Sequence, residues 1–64
     1  MELNKERIDY ELNRQKMGKP ELANKMGMSK QWIYQVLNSG KDIRLSTVEK
    51  FAHALGVDPK DLII

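Results

Sequence analysis

The chain has 64 residues, no cysteine, and a net charge of +2 from 11 Lys and Arg against 9 Asp and Glu. A chain this short buries only about 60% of its unfolded surface, so its core is small, and without thiols no disulfide or thiolate metal site can staple it. Apolar runs are short, far from the ~20 residues of a membrane span, and nothing resembles a signal peptide; one domain over residues 1–64, acting in the cytoplasm, is the expectation.

The punctuation predicts five helical segments and an all-α fold. The first runs from about Lys5 to Lys16, with Asn4 as cap and Ile8 and Leu12 on one face. The second starts near Lys19; Pro20 is tolerated there because first-turn amides have no intrahelical acceptor to lose. Leu22, Ala23 and Met26 form its buried stripe, and Gly27 ends it where a left-handed residue costs least. Ser29 caps a third helix that runs to about Asn38 and closes on "NSGK". The fourth opens with "STVE", where Ser46 and Glu49 have capping-box spacing; it buries Val48, Phe51, Ala52 and Leu55 and ends at Gly56. A short fifth follows, with Asp58 as cap, Pro59 at its first position, and Leu62 and Ile63 facing inward.

The charges are segregated. Between residues 14 and 41 stand Arg14, Lys16, Lys19, Lys25, Lys30 and Lys41 against the single acid Glu21, while the other acids occupy the flanks. That arrangement suggests one positive face, although an ordinary solvated surface would look similar on charge alone.

The second and third segments carry the most information. Small Ala23 lets two helices approach closely, Gly27 turns the chain, and Ile33 lands on the inner face among Leu22, Met26, Met28 and Val36. This is helix-turn-helix spacing, with an αα corner that binds nothing as the bland alternative. On the third helix, Ile33, Val36 and Leu37 share an inward sector, leaving Gln31, Gln35 and Asn38 outward and Trp32 and Tyr34 on the flanks. No carboxylate interrupts this helix, and glutamine or asparagine can pair with both N6 and N7 of adenine in the major groove. Lys30, Gln31, Tyr34 and Gln35 are therefore the candidate base readers. The candidate phosphate contacts are Arg14, Lys19, Ser29, Trp32, Asn38, Gly40 and Lys41, at helix ends and in the turn after the third helix. Taken singly, the two glutamines are plain solvated positions, Trp32 suits partial packing on a neighbouring helix, and His53 suits the surface.

Three ordered blocks, "ELANKMGMS", "SKQWIYQVLNSGK" and "LSTVEKFAHALGVDPKDLI", resemble the lambda-repressor-like helix-turn-helix family of phage repressors and Cro proteins (XRE-type) from about Arg14 to Leu62. The resemblance implies a compact five-helix DNA-binding domain with the helix-turn-helix at helices 2 and 3, acting on a palindromic operator in bacteria or phage. It places Lys30, Gln31 and Gln35 where family members touch base edges, and Lys19 where a phosphate is often held. Many members pair an arginine on the first helix with a glutamate late in the third. The matching positions here are Asn13 and Leu37, which reads as an apolar substitute for a buried ion pair. Ser39 looks like one extra residue in the following turn.

The expected activity is sequence-specific binding of double-stranded DNA as a small transcriptional regulator, by a homodimer whose half-sites lie ~34 Å apart. The tail "LII" is the candidate interface, testable by Leu62→Asp or Ile64→Asp. The alternative is a protein-interaction module, an antitoxin or adaptor, on the same fold. No phosphate loop, metal cluster or nucleophile–base pair is legible, so neither an enzyme nor a cofactor, small-molecule substrate or membrane partner is expected.

Overall fold

In a computed structural model of the chain, which describes residues 1–39 and 42–64, four α-helices follow one another: α1 (Lys5–Arg14), α2 (Lys19–Met26), α3 (Lys30–Ser39) and α4 (Leu45–Leu55). A 3-10 turn, Pro59–Leu62, comes last. The helix starts follow their side chains in two cases. The Asn4 Oδ1 accepts from the Arg7 amide at 3.1 Å, and the Ser29 Oγ accepts from the Trp32 amide at 3.1 Å, each satisfying a first-turn donor that the helix leaves unpaired.

Three of the helix ends share one device. In α2, Met28 N–H donates to the Ala23 carbonyl and Gly27 N–H to that of Asn24, with Gly27 left-handed at φ 68°. In α4, Val57 N–H donates to Ala52 and Gly56 N–H to His53, with Gly56 at φ 70°. In α1, Met17 N–H donates to Leu12 and Lys16 N–H to Asn13, and the left-handed residue is Lys16 at φ 53°. These are three Schellman endings, one built without glycine. That is why α1 stops at Arg14 and not at the expected Lys16.

The core draws on every element. Ile8 and Leu12 of α1, Leu22 and Ala23 of α2, Ile33 and Leu37 of α3, and Val48, Phe51, Ala52 and Leu55 of α4 are buried, together with Leu62 of the 3-10 turn and Leu3. Trp32 lies over Phe51 with ring centroids 5.8 Å apart and planes inclined by 18°, a stacked pair joining α3 to α4. Met26, Met28 and Val36, expected among the inward residues, are half-buried, and Met26 and Val36 pack against the core.

Three sequence expectations need correcting. Helix α4 begins at Leu45, with Arg44 as an N-cap that makes no side-chain cap bond, so Ser46 lies inside the first turn and is no cap. Thr47 and Val48 already donate to the Arg44 carbonyl, at 3.0 and 3.1 Å, which starts the helix ahead of the serine. The fifth element is 3-10: Asp58 caps it through Lys60 N–H at 3.2 Å, and Asp61 N–H reaches the Asp58 carbonyl three residues back. Ile63 packs against the core as expected, but as extended chain beyond the turn and not as part of it. It is extended and half-buried, and forms an antiparallel bridge with Leu3, flanked by Asn4 N–H to Leu62 O at 2.7 Å and Ile64 N–H to Glu2 O at 3.0 Å.

Candidate nucleic-acid interface

Along α3 the exposed residues are Lys30, Gln31, Tyr34, Gln35, Asn38 and Ser39, whereas Ile33 and Leu37 are buried and Trp32 and Val36 half-buried. The exposed positions recur at the helical repeat and make one stripe, free of carboxylates, along the outside of the helix. Gln31 and Gln35 stand in its middle, uncovered. Tyr34 belongs to the stripe and not to a flank, and Trp32 is the flanking ring, drawn inward by Phe51.

The cations around the stripe differ in what they touch. Lys19, the first residue of α2, places its Nζ 5.7 Å from the centroid of the Tyr34 ring. Lys5 Nζ donates to the Asn38 carbonyl at 3.4 Å, at the far end of α3. Sequence reasoning had assigned Lys5 no part here; a lysine opening α1 gives no local hint that it meets the end of α3. Lys25 points elsewhere, its Nζ 3.5 Å from the Ala54 carbonyl on α4.

Arg14, expected at the phosphate rim, is held by a carboxylate. Its Nη2 lies 2.6 Å and its Nε 3.0 Å from Glu11 Oε1, while Arg7 Nε reaches Glu11 Oε2 at 3.2 Å. Glu11 is 2% exposed. The hydrogen bond from Arg14 holds its carboxyl below the ordinary glutamate value, against the opposing effect of burial, and Glu11 in turn raises Arg14. Gln15 completes the group by donating to the Leu55 carbonyl at 2.7 Å.

The profile of the Cro/C1-type HTH DNA-binding domain matches residues 7–64. The chain belongs to that family. No curated protein and no solved structure matched it. Membership in this Cro/C1-type family makes the molecule a helix-turn-helix DNA-binding protein, and the match takes in all of α2, α3 and α4. No helix among the described residues is long and apolar enough to cross a membrane, and none of their His, Asp and Glu side chains cluster as metal ligands.

Within this Cro/C1-type domain, Lys30, Gln31, Tyr34 and Gln35 lie together on the exposed stripe, Asn38 stands at its end, and Ser29 caps the helix that bears it. Lys19 joins them through Tyr34. Arg14 is paired with Glu11 on α1, and Gly40 and Lys41 lie outside the described residues. The positions compared with the family's ion pair do not face each other as substitutes, because Leu37 is buried and Asn13 exposed. The buried charge is instead Glu11, whose signal was in the sequence. Ile8, Glu11, Leu12 and Gln15 fall on one face at i, i+3, i+4 and i+7, with Arg7 and Arg14 four before and three after the acid.

Proposed function

We propose that residues 1–64 form one Cro/repressor-type transcriptional regulator that binds double-stranded DNA by sequence, with α2 and α3 as the helix-turn-helix and α3 in the major groove. The observation that carries this reading is the carboxylate-free stripe on α3 with its glutamines uncovered. Gln31 and Gln35 would each pair with an adenine, at ~1–3 kcal/mol of discrimination per bidentate contact, and Lys30 with a guanine. Lys19, Ser29 and Asn38 hold phosphates and fix the register without reading sequence. Arg14 is left to Glu11 in this assignment, and Trp32 to Phe51.

Size favours a homodimer. The molecule measures 25 × 22 × 17 Å, so one copy cannot place helices in two successive major grooves ~34 Å apart on one face of a duplex. Two copies on a palindromic operator can. The setting that goes with this reading is the cytoplasm of a bacterium, on chromosomal or phage DNA.

Selection of bound duplexes from a random pool at stated salt tests the reading, with enrichment of a palindrome as the expected result. Lys19→Ala then weakens all sequences alike and lowers the salt slope by about one unit, whereas Gln35→Ala relaxes preference at one base pair. A pool that yields no preferred sequence, or a Gln31→Ala, Gln35→Ala double variant that loses a protein partner but keeps its DNA affinity, rejects it in favour of an interaction module.

A further inference from the structure

Tyr34 stands on the exposed stripe, between Lys30 and Gln31 on one side and Gln35 and Asn38 on the other, and is itself 44% exposed. Lys19 at the start of α2 is half-buried, unusual cover for a lysine in a helix first turn. The Lys19 ammonium lies 5.7 Å from the Tyr34 centroid, inside the ~6 Å range where the negative face of an aromatic ring attracts a cation.

Three other cations are tied to oxygen acceptors: Arg14 to Glu11, Lys25 to the Ala54 carbonyl and Lys5 to that of Asn38. A ring face restrains an ammonium without being a hydrogen-bonding oxygen, so the Lys19 N–H donors stay available to an incoming oxygen. Nor does a ring cancel charge, as the Glu11 carboxylate does for Arg14.

We infer that Tyr34 is a positioning residue: its ring holds Lys19 over the edge of the reading stripe, and so sets where the duplex backbone is gripped relative to the bases facing Gln31 and Gln35. This departs from the base contact expected of Tyr34 and rests on the DNA-binding reading above. A lysine already confined to one side of the groove loses less freedom on meeting a phosphate than one swinging freely. The ring provides that confinement, and its hydroxyl is not needed for it.

Two arms test the inference. In the free protein, the Lys19 ε-methylene protons are expected to be shifted upfield by the ring, equally in Tyr34→Phe and not in Tyr34→Leu. On duplex DNA, Tyr34→Leu is expected to lose about two- to fivefold in affinity for every sequence alike, while Tyr34→Phe stays near wild type. In a Lys19→Ala background the same Tyr34→Leu change should cost nothing further. A Tyr34→Leu variant that alters preference at one base pair, costs as much without Lys19 as with it, or leaves affinity unchanged overturns the inference, as does a Tyr34→Phe variant as weak as Tyr34→Leu. The larger reading fails differently: wild-type protein then shows no salt-dependent duplex binding at all. If wild type binds and Lys19→Ala lowers the salt slope, only the role of Tyr34 is at stake.

Discussion

Glu11 is the one buried charged side chain among the described residues, 2% exposed, and it survives burial because two arginines and Gln15 supply donors to both of its oxygens. Arg7 and Arg14 stay partly in water, at 38% and 54% side-chain exposure, so the acid alone loses most of its hydration. Removing its charge leaves polar atoms facing a site shaped for a carboxylate; Glu11→Gln is expected to lower the melting temperature by roughly 5 °C, read by thermal unfolding at pH 7. The sign of the pH effect follows from the lowered folded value. Below the ordinary glutamate value of 4.5 the unfolded chain takes up the proton first, so the stabilisation present at neutral pH drains away as pH falls through the folded value. Acid titration of stability should therefore fall more steeply in wild type than in Glu11→Gln. Parallel curves would mean that the carboxyl titrates alike in both states. The spacing of Arg7, Glu11 and Arg14 displayed this cluster in the sequence, but a carboxylate between Ile8 and Leu12 looks like a break in an apolar stripe until its partners are seen to come from its own helix.

Helices α1 to α4 were legible because each carries local instructions: Asn4 and Ser29 at starts, Gly27 and Gly56 at ends, and apolar residues at helical spacing between. The start of α4 was misplaced because its signal is tertiary. Ile43 N–H is pinned to the Met1 carbonyl at 2.8 Å, which delivers the chain to Arg44 already set to begin the helix, and the capping-box spacing of Ser46 and Glu49 goes unused. The cap site thus holds a residue with no side-chain acceptor in an extended conformation that suits serine. Arg44→Ser should raise stability by about 0.5–1 kcal/mol in chemical denaturation. The three helix endings give a matched pair of outcomes. At Gly27 a Cβ would meet nothing within 4 Å, so Gly27→Ala costs only backbone strain, about 1 kcal/mol, with the packing of α2 on α3 intact. At Lys16 the strain is already present, and Lys16→Gly should recover a similar amount. A loss at Lys16 and none at Gly27 would show that the left-handed conformations do not govern these ends.

The whole molecule is closed by contacts between distant parts of the chain that no local pattern announces. Leu3 is buried at 1% exposure, Met1 O receives Ile43, and residues 2–4 pair with 62–64 across 60 positions of sequence, as in the Ile64 to Glu2 hydrogen bond. Such pairing depends on the finished fold, and the segments are too short to show a strand's alternation. It also divides the "LII" tail into residues of opposite character. Leu62 is fully buried beneath α1 and α4, so Leu62→Asp cannot report on dimerisation; it places a charge in the core and should unfold the protein at 25 °C. Ile64 is 79% exposed and tied only through its backbone, which an aspartate retains. Ile64→Asp is expected to keep the wild-type melting temperature within about 2 °C, because surface changes away from packed groups shift stability by less than ~0.5 kcal/mol. If the dimer on DNA uses this patch, the same variant lowers operator affinity and weakens self-association in sedimentation while leaving single half-site binding unchanged. Wild-type sedimentation and operator affinity in Ile64→Asp would move the interface to another face, with the exposed Leu45 at the start of α4 as the next side chain to replace.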